Sequence, residues 1–403
     1  MAAAAAFRRP PASPVRLLFG AVAVAGVLGL ALSLRPMATE APQPVTQYRG
    51  DFRPTAALLT AREGHISMLL PDGQVLLAGG IQVETALVVA ELYDEVRAVF
   101  VPTRPLHVAR SGAAAAALAD GRVLVVGGAG EDGRPLADAE LYDPVAITWD
   151  RIGGLQASRI GHTVTSLPNG GVAVLGGERD GAALGDGAAG GHGAAGGNGA
   201  EPSIDVFDPI SRAFAPGGSL IYGRAGHTAT LLRDGRVLVL GGVGDAGTPL
   251  AEAELYDPAT RTTTASGRLA ASRSGHTATL LRDGRVLVLG GLGANGQPVE
   301  RAELYDPETG RFASVGRLWV PRSGHTATQL IDGQVLVFGG QDAERELLTS
   351  AELFDATGRP VGPTGSATFG RTAHTAALLP DGRVLVGGGR GSNRQLVSAE
   401  LFE

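Results

Sequence analysis

Seven arginines and seven acids recur in register along the chain, and a guanidinium set against a carboxylate is the first chemistry that this pattern offers. Arg62, Arg110, Arg159, Arg224, Arg273, Arg322 and Arg371 share one position, and Glu91, Glu140, Asp205, Glu254, Glu303, Glu352 and Glu400 share another. General acid–base catalysis needs one acid and one base in different environments. A residue present in every copy of a repeat is more simply part of how each copy is built. The expectation is that arginine and acid pair within or between repeats, because a lone buried charge is heavily penalised. No catalytic residue is expected.

Histidine is the second candidate. Aligning the copies places His65, Ala113, His162, His227, His276, His325 and His374 at one position, with steps of 48, 49, 65, 49, 49 and 49 residues. A metal centre would need these rings gathered on a common axis. The alanine at position 113 and the strand pattern after each anchor favour histidines that pack or hydrogen-bond locally, so neither a metal nor a cofactor is expected. The chain has no Cys, which removes disulfides, thiolate metal sites and a cysteine nucleophile. Gly176 to Gly181 and Asp186-Gly187 faintly echo calcium-binding glycine repeats, but they bring few carboxylates for a cation that takes six to eight oxygens.

These side chains must be positioned by a repeated unit. Arg273-Ser-Gly-His276-Thr-Ala-Thr-Leu-Leu-Arg-Asp-Gly-Arg-Val-Leu-Val-Leu-Gly-Gly291 returns nearly verbatim at Arg224 to Gly242 and at Arg322 to Gly340, each followed by Ala-Glu-Leu-Tyr-Asp or Ala-Glu-Leu-Phe-Asp. The run from His276 reads as a first strand, and Arg282-Asp283-Gly284 as a tight hairpin turn. Arg285 to Leu289, apolar on both faces, reads as a second strand sandwiched between neighbours. Gly290-Gly291 ends it where a Cβ would clash. Ala302 to Asp306 reads as a third strand, and Arg311-Phe312-Ala313 as a fourth, outer strand. The long step between His162 and His227 holds a loop rich in Gly and Ala, residues 181–200, with too little apolar side chain to pack.

Two defects at the ends of the array complement each other. An apolar residue stands thirteen positions before most anchors (Phe52, Phe100, Trp149, Phe214, Phe312 and Val361, with Thr263 the exception). Phe52 precedes the first anchor, so Gln47 to Arg53 has the form of a fourth strand without a unit of its own. The last repeat stops at Ala399-Glu-Leu-Phe-Glu403, a third strand without a fourth. The N-terminal strand should therefore complete the last unit and close a ring, leaving no open sheet edge between first and last units.

The Gly-Gly pair, the Tyr-Asp some fifteen residues later and the aromatic after that resemble the kelch motif. The Arg-x-Gly-His-Thr-Ala-Thr-Leu-Leu and Asp-Gly-Arg-Val-Leu-Val segments are similar to bacterial exported kelch proteins related to the galactose oxidase central domain. The resemblance covers residues 47–403 and implies an all-β, seven-bladed kelch-type β-propeller. It also implies ligand binding by the loops of one face and, by likeness to kelch adaptors that bind acidic peptides, by Arg62, Arg110, Arg159, Arg224, Arg273, Arg322 and Arg371. The oxidase chemistry of that lineage is not expected, because its copper cofactor resembles a tyrosine crosslinked to a cysteine, and four of the six tyrosines here (Tyr93, Tyr142, Tyr256 and Tyr305) are repeat positions. No Ser-x-Asp-x-Gly-x-Thr-Trp turn of the sialidase type occurs.

Ahead of the repeats, Leu17 to Leu34 is an unbroken apolar or small run of 18 residues, with Arg8, Arg9 and Arg16 before it and Arg35 and Pro36 after it. It reads as an export element. Its length suits an uncleaved membrane helix, with residues 1–16 in the cytoplasm and the repeats outside, while Ala31-Leu-Ser33 has the form of a cleavage site. Residues 35–46 carry Pro36, Pro42 and Pro44 and read as an extended linker. The net charge of −6 and the scattering of 34 cationic residues speak against nucleic acid. The expected protein is a monomeric, non-enzymatic scaffold in the cell envelope or secreted, binding a protein or a polysaccharide through its loop face. An extracellular carbohydrate-active enzyme is the alternative, to be recognised by a pocket lined with non-repeat polar residues such as Tyr222, Arg179, Asp180 or Asn393.

Overall fold

The computed structural model describes residue 48, residues 50–179 and residues 199–403. The apolar segment 17–34, the linker 35–46 and most of the Gly-rich loop 181–200 lie outside the described residues. Among the described residues no helix occurs, and so none is long and apolar enough to cross a membrane.

Each repeat folds into one four-stranded antiparallel sheet, and the seven sheets form a seven-bladed propeller. Blade 5 shows the plan, with strands Thr277–Leu280, Val286–Leu289, Arg301–Asp306 and Arg311–Arg317. Its hairpin turn forms because Asp283 Oδ1 accepts the backbone N–H of Arg285 at 3.0 Å, while Gly284 supplies φ +93° at no steric cost. Every second strand is buried along its whole length. Its alternation sends one face to each neighbour: Val286 and Val288 pack with Leu238 and Leu240 of blade 4, and Leu287 and Leu289 pack with Val335 and Val337 of blade 6. Each such side chain contributes about 1.5–3 kcal/mol by burial, which makes the seams between blades the hydrophobic core.

The ring closes as its strand count requires. Phe52–Pro54 pairs antiparallel with Ala399–Phe402, in the register Phe52 to Phe402, Arg53 to Leu401 and Pro54 to Glu400. The regular strand starts later than the expected Gln47, although Gly50 and Asp51 still donate their N–H groups to the carbonyl of Glu403. Aromatic contacts fasten the closure. The Phe52 ring centroid lies 4.7 Å from Phe338 and 5.1 Å from Phe402, Tyr48 stacks on Phe402, and the Tyr48 hydroxyl donates to the Gly382 carbonyl at 2.7 Å.

The apolar position before each anchor holds elsewhere as a ring pair between third and fourth strands: Tyr93 with Phe100, Tyr142 with Trp149, Phe207 with Phe214, and Tyr305 with Phe312. Val361 departs from it. The register shifts between Leu353 and Phe354, Phe354 pairs with Pro360, and Val361 is left 58% exposed.

Candidate ligand-binding cleft

The repeated arginines are the largest fully buried side chains among the described residues, six at 0% exposure and Arg110 at 1%. Arg273 shows how each is held. Its Nη2 donates to Glu303 at 2.5 Å, and its Nη1 donates to the carbonyls of Gly290 and Arg301, both at 3.2 Å. The same bracket recurs in every blade, with Asp205 serving Arg159. Burial pulls the pKa of all seven guanidinium groups down and the paired carboxylate pushes back. The two carbonyls flank the loop between second and third strands, so each arginine staples the base of one variable loop. The carboxylate also accepts backbone N–H groups from the connection just before its arginine, as Glu352 does from Trp319 and Val320. With their donors turned inward, the seven arginines present no surface where a ligand would arrive.

The histidines form a second ring of contacts, this time between blades. Nε2 of His227, His276, His325, His374 and His65 lies 2.9–3.0 Å from the hydroxyl of Thr163, Thr228, Thr277, Thr326 and Thr375, each in the preceding blade. Glycine makes room for the ring. A Cβ at Gly290, already at φ +60°, would fall 2.5 Å from His325 Cε1. Burial, aided by a nearby arginine charge, lowers the pKa of His65, His162 and His325 to about 3, so these rings are neutral. At the seam of blades 1 and 2 both partners are replaced together, Ala113 for the histidine and Ile66 for the threonine, and the two share an apolar cluster. At the next seam only one is: Ala114 stands at the threonine position, and His162 lies near the backbone of Val126 and Arg159 without a well-formed hydrogen bond.

Tyrosine is equally committed to the seams. The hydroxyls of Tyr93, Tyr142 and Tyr305 bond Thr55, Thr103 and Ser266, and that of Tyr256 donates to the Gly217 carbonyl. A copper centre of histidine and tyrosine does not fit this arrangement, since the rings are distributed one per seam. Among the described residues no three His, Asp or Glu side chains gather as a metal site.

What differs between blades lies above this frame. A cleft of about 1150 Å³ opens between the second-to-third-strand loops of blades 6 and 7 and reaches Ala61 of blade 1. Arg345, Arg390 and Arg394 line it together with Asn393, Gln395 and Phe369. None of the three arginines has an ion-pair partner among the described residues. Symmetry fails here in two ways. The spacing from arginine to acid is 29 residues in blades 7 and 1, against 30 in blades 2, 4, 5 and 6, so the loops of these two blades are one residue shorter. In addition, the glycine of Arg-x-Gly-His, at φ between +60° and +66° in six blades, is Ala373 in blade 7 at φ +51°, a conformation that costs a non-glycine residue about 1–2 kcal/mol.

Behind the wall of the cleft sits Glu63, 3% exposed. Gln395 Nε2 donates to its Oε1 at 3.1 Å, and its Oε2 has no hydrogen-bond partner among the described residues. Burial raises its pKa, opposed by Gln395 and by the Arg390 charge. The exposed aromatics share the same face: Tyr222 (46%), Trp319 (72%) and Phe369 (48%) all occupy the connection that leads into a repeat arginine. Of the non-repeat polar residues singled out in the sequence, Asn393 lines the cleft, Tyr222 is exposed on blade 4, Arg179 pairs with Glu201, and Asp180 lies outside the described residues. Arg345, Arg390, Arg394, Gln395 and Phe369 escape a reading of repeats because they stand where repeats differ. The one-residue shortening of blade 7 was the available signal for Arg390, Arg394 and Gln395, while Arg345 stands in the full-length loop of blade 6 and Phe369 in the connection before Arg371.

No protein-family model matches the sequence, and a search of curated proteins finds no relative. Among solved structures, 1092 chains match, so the fold alone does not select a function. One of them is a fungal alcohol oxidase of the AA5 family in complex with copper, with 18% identity, a TM-score of 0.67, and coverage of 88% of this chain and 76% of that one. At that identity the likeness concerns the fold alone, the seven-bladed arrangement of four-stranded sheets described above.

Proposed function

We propose that the protein is a non-enzymatic recognition scaffold of the kelch type that binds a glycan or protein ligand on its loop face, in the cleft over blades 6, 7 and 1. The observation that carries this reading is the contrast in arginine use. Seven arginines are spent on fixing loop bases, while Arg345, Arg390 and Arg394 stand without ion pairs among the described residues around a cleft that no repeat rule requires. Loops on a rigid scaffold are where binding residues concentrate. The brackets of Arg322 and Arg371 hold both loops that form the cleft, so it is preorganised. The chain acts as a monomer, either anchored outside the cytoplasmic membrane by residues 17–34 or secreted after their removal, and this placement rests on the apolar run and its flanking arginines alone.

A second reading, a carbohydrate-active enzyme, draws on Glu63, whose raised pKa and unpartnered oxygen suit a general acid. The copper chemistry of the oxidase neighbour is not carried over. The test is a glycan-array and peptide-binding screen of the full chain against Arg345→Ala/Arg394→Ala. Loss of binding with an unchanged melting temperature supports the recognition site, and turnover abolished by Glu63→Gln would replace it with the enzyme.

A further inference from the structure

The chemistry of the cleft identifies a class of ligand, and this step rests on the recognition reading above. We infer that the cleft takes a polysaccharide carrying carboxylate groups, a polyuronate, with sugar carboxylates meeting Arg345, Arg390 and Arg394 and a sugar ring lying on Phe369.

Three observations converge. The first is charge: the lining holds three arginines against the single carboxylate of Glu346, on a chain whose net charge is −6. Unlike the frame arginines, none of these three forms an ion pair among the described residues, and a planar guanidinium matches a carboxylate two bonds at a time. The second is the character of the other lining groups. Asn393, Gln395 and Thr368 offer short donors and acceptors of the kind that pair with sugar hydroxyls. The Gln395 amide is oriented, since its nitrogen is bound to Glu63, which leaves its carbonyl oxygen as the acceptor free for a ligand. Glu63 is thus a positioning residue.

The third observation is aromatic. Phe369 lies half-exposed in the lining, and Trp319 stands at 72% exposure on the equivalent connection of blade 6. Each connection is pinned from below, Trp319 N–H by Glu352 and Thr368 N–H by Glu400. Rigid aromatic faces on successive blades suit the apolar faces of successive sugar rings. A peptide would instead seek apolar side-chain pockets or an open strand edge, and here the residues lining the cleft lie in loops and connections outside the named strands.

The test uses the full chain and measures binding to polygalacturonate, to the same polymer after reduction of its carboxyl groups, and to poly-glutamate, with melting curves for every variant. Polygalacturonate is expected to bind, to weaken at least tenfold between 50 and 300 mM salt, and to weaken at least tenfold in Arg345→Ala/Arg394→Ala without a change in melting temperature. Phe369→Ala should weaken it several-fold at any salt, and Glu63→Ala should lower affinity without changing the salt dependence. Equal binding of the carboxyl-reduced polymer, preference for poly-glutamate, or no binding of polygalacturonate overturns the ligand class. If another ligand then binds and is lost in the double variant, the recognition cleft stands without it. If polygalacturonate binds but is cleaved, the ligand class stands and the non-enzymatic reading falls.

Discussion

The frame under the blades and the cleft above blades 6, 7 and 1 use the same side chains to opposite ends. Arg371 and Arg394 are 23 residues apart in one blade. Arg371 is fully buried and bonded to Glu400 and to the carbonyls of Gly388 and Ser398, whereas Arg394 is exposed and forms no ion pair among the described residues. A group whose hydrogen-bonding capacity is consumed inside the protein builds structure, and a group left without a partner in a concave site is available to a ligand. Residue type does not separate the two roles. Partner saturation does.

The comparison breaks most completely at the ring closure. Removal of residues 1–54 takes away the fourth strand of blade 7 together with Phe52, and uncovers Phe338 on the second strand of blade 6 and Phe402 on the third strand of blade 7. Since first and last blades then present open faces, this variant is expected to lack a cooperative melting transition by circular dichroism. A truncated protein that melts like the full chain would contradict the closure.

Next in size is the frame bracket. Arg273→Met strands Glu303 in a buried site and should cost about 3–5 kcal/mol, as should Glu303→Leu by stranding Arg273, while Arg273→Met/Glu303→Leu, which removes both charges, should cost less than either single change. Urea denaturation of the four proteins gives the coupling directly.

Acid sharpens the comparison through the histidines. For His65, His162 and His325 the folded pKa is about 3, below the unfolded value near 6.5, so the unfolded chain binds more protons. Their contribution is complete above about pH 6.5 and is lost as pH falls toward about 3, by up to about 1.4 kcal/mol per pH unit for each ring. Urea midpoints between pH 7.5 and 4.5 should therefore drop steeply, and less steeply in His325→Asn.

The smallest effect is a gain. Ala114→Thr supplies His162 with the hydroxyl that five other seams have and should stabilise by about 1 kcal/mol. The same change paired with His162→Ala should lose that gain.

The frame was legible in the sequence because seven copies repeat one message. The Asp-Gly turns, the apolar second strands and the Gly-Gly stops each follow from local chemistry, and the complementary end defects imply closure by strand counting alone. Arginine–acid pairing was legible for the same reason. The histidine latch was half-visible: the threonine after five of the six repeat histidines, and the joint replacement at Ile66 and Ala113, were in the sequence, but the partner lies one blade away. Val361 failed because a shift of register at Phe354 moves its side chain outward, and no pattern of apolar spacing reports such a shift. The cleft was least legible. It assembles from the loops at Gln341 to Leu347 and Arg390 to Ser398 and from Thr368 to Gly370, and averaging over repeats discards what these segments do not share.

The most direct test of partner saturation is the pair Arg371→Ala and Arg394→Ala, compared by melting temperature in the same buffer. Arg371→Ala is expected to lower it by roughly 5 °C, as a loss of about 4 kcal/mol would do for a chain of this size, and Arg394→Ala to leave it unchanged. Equal melting temperatures would contradict the division between a saturated frame and an open cleft.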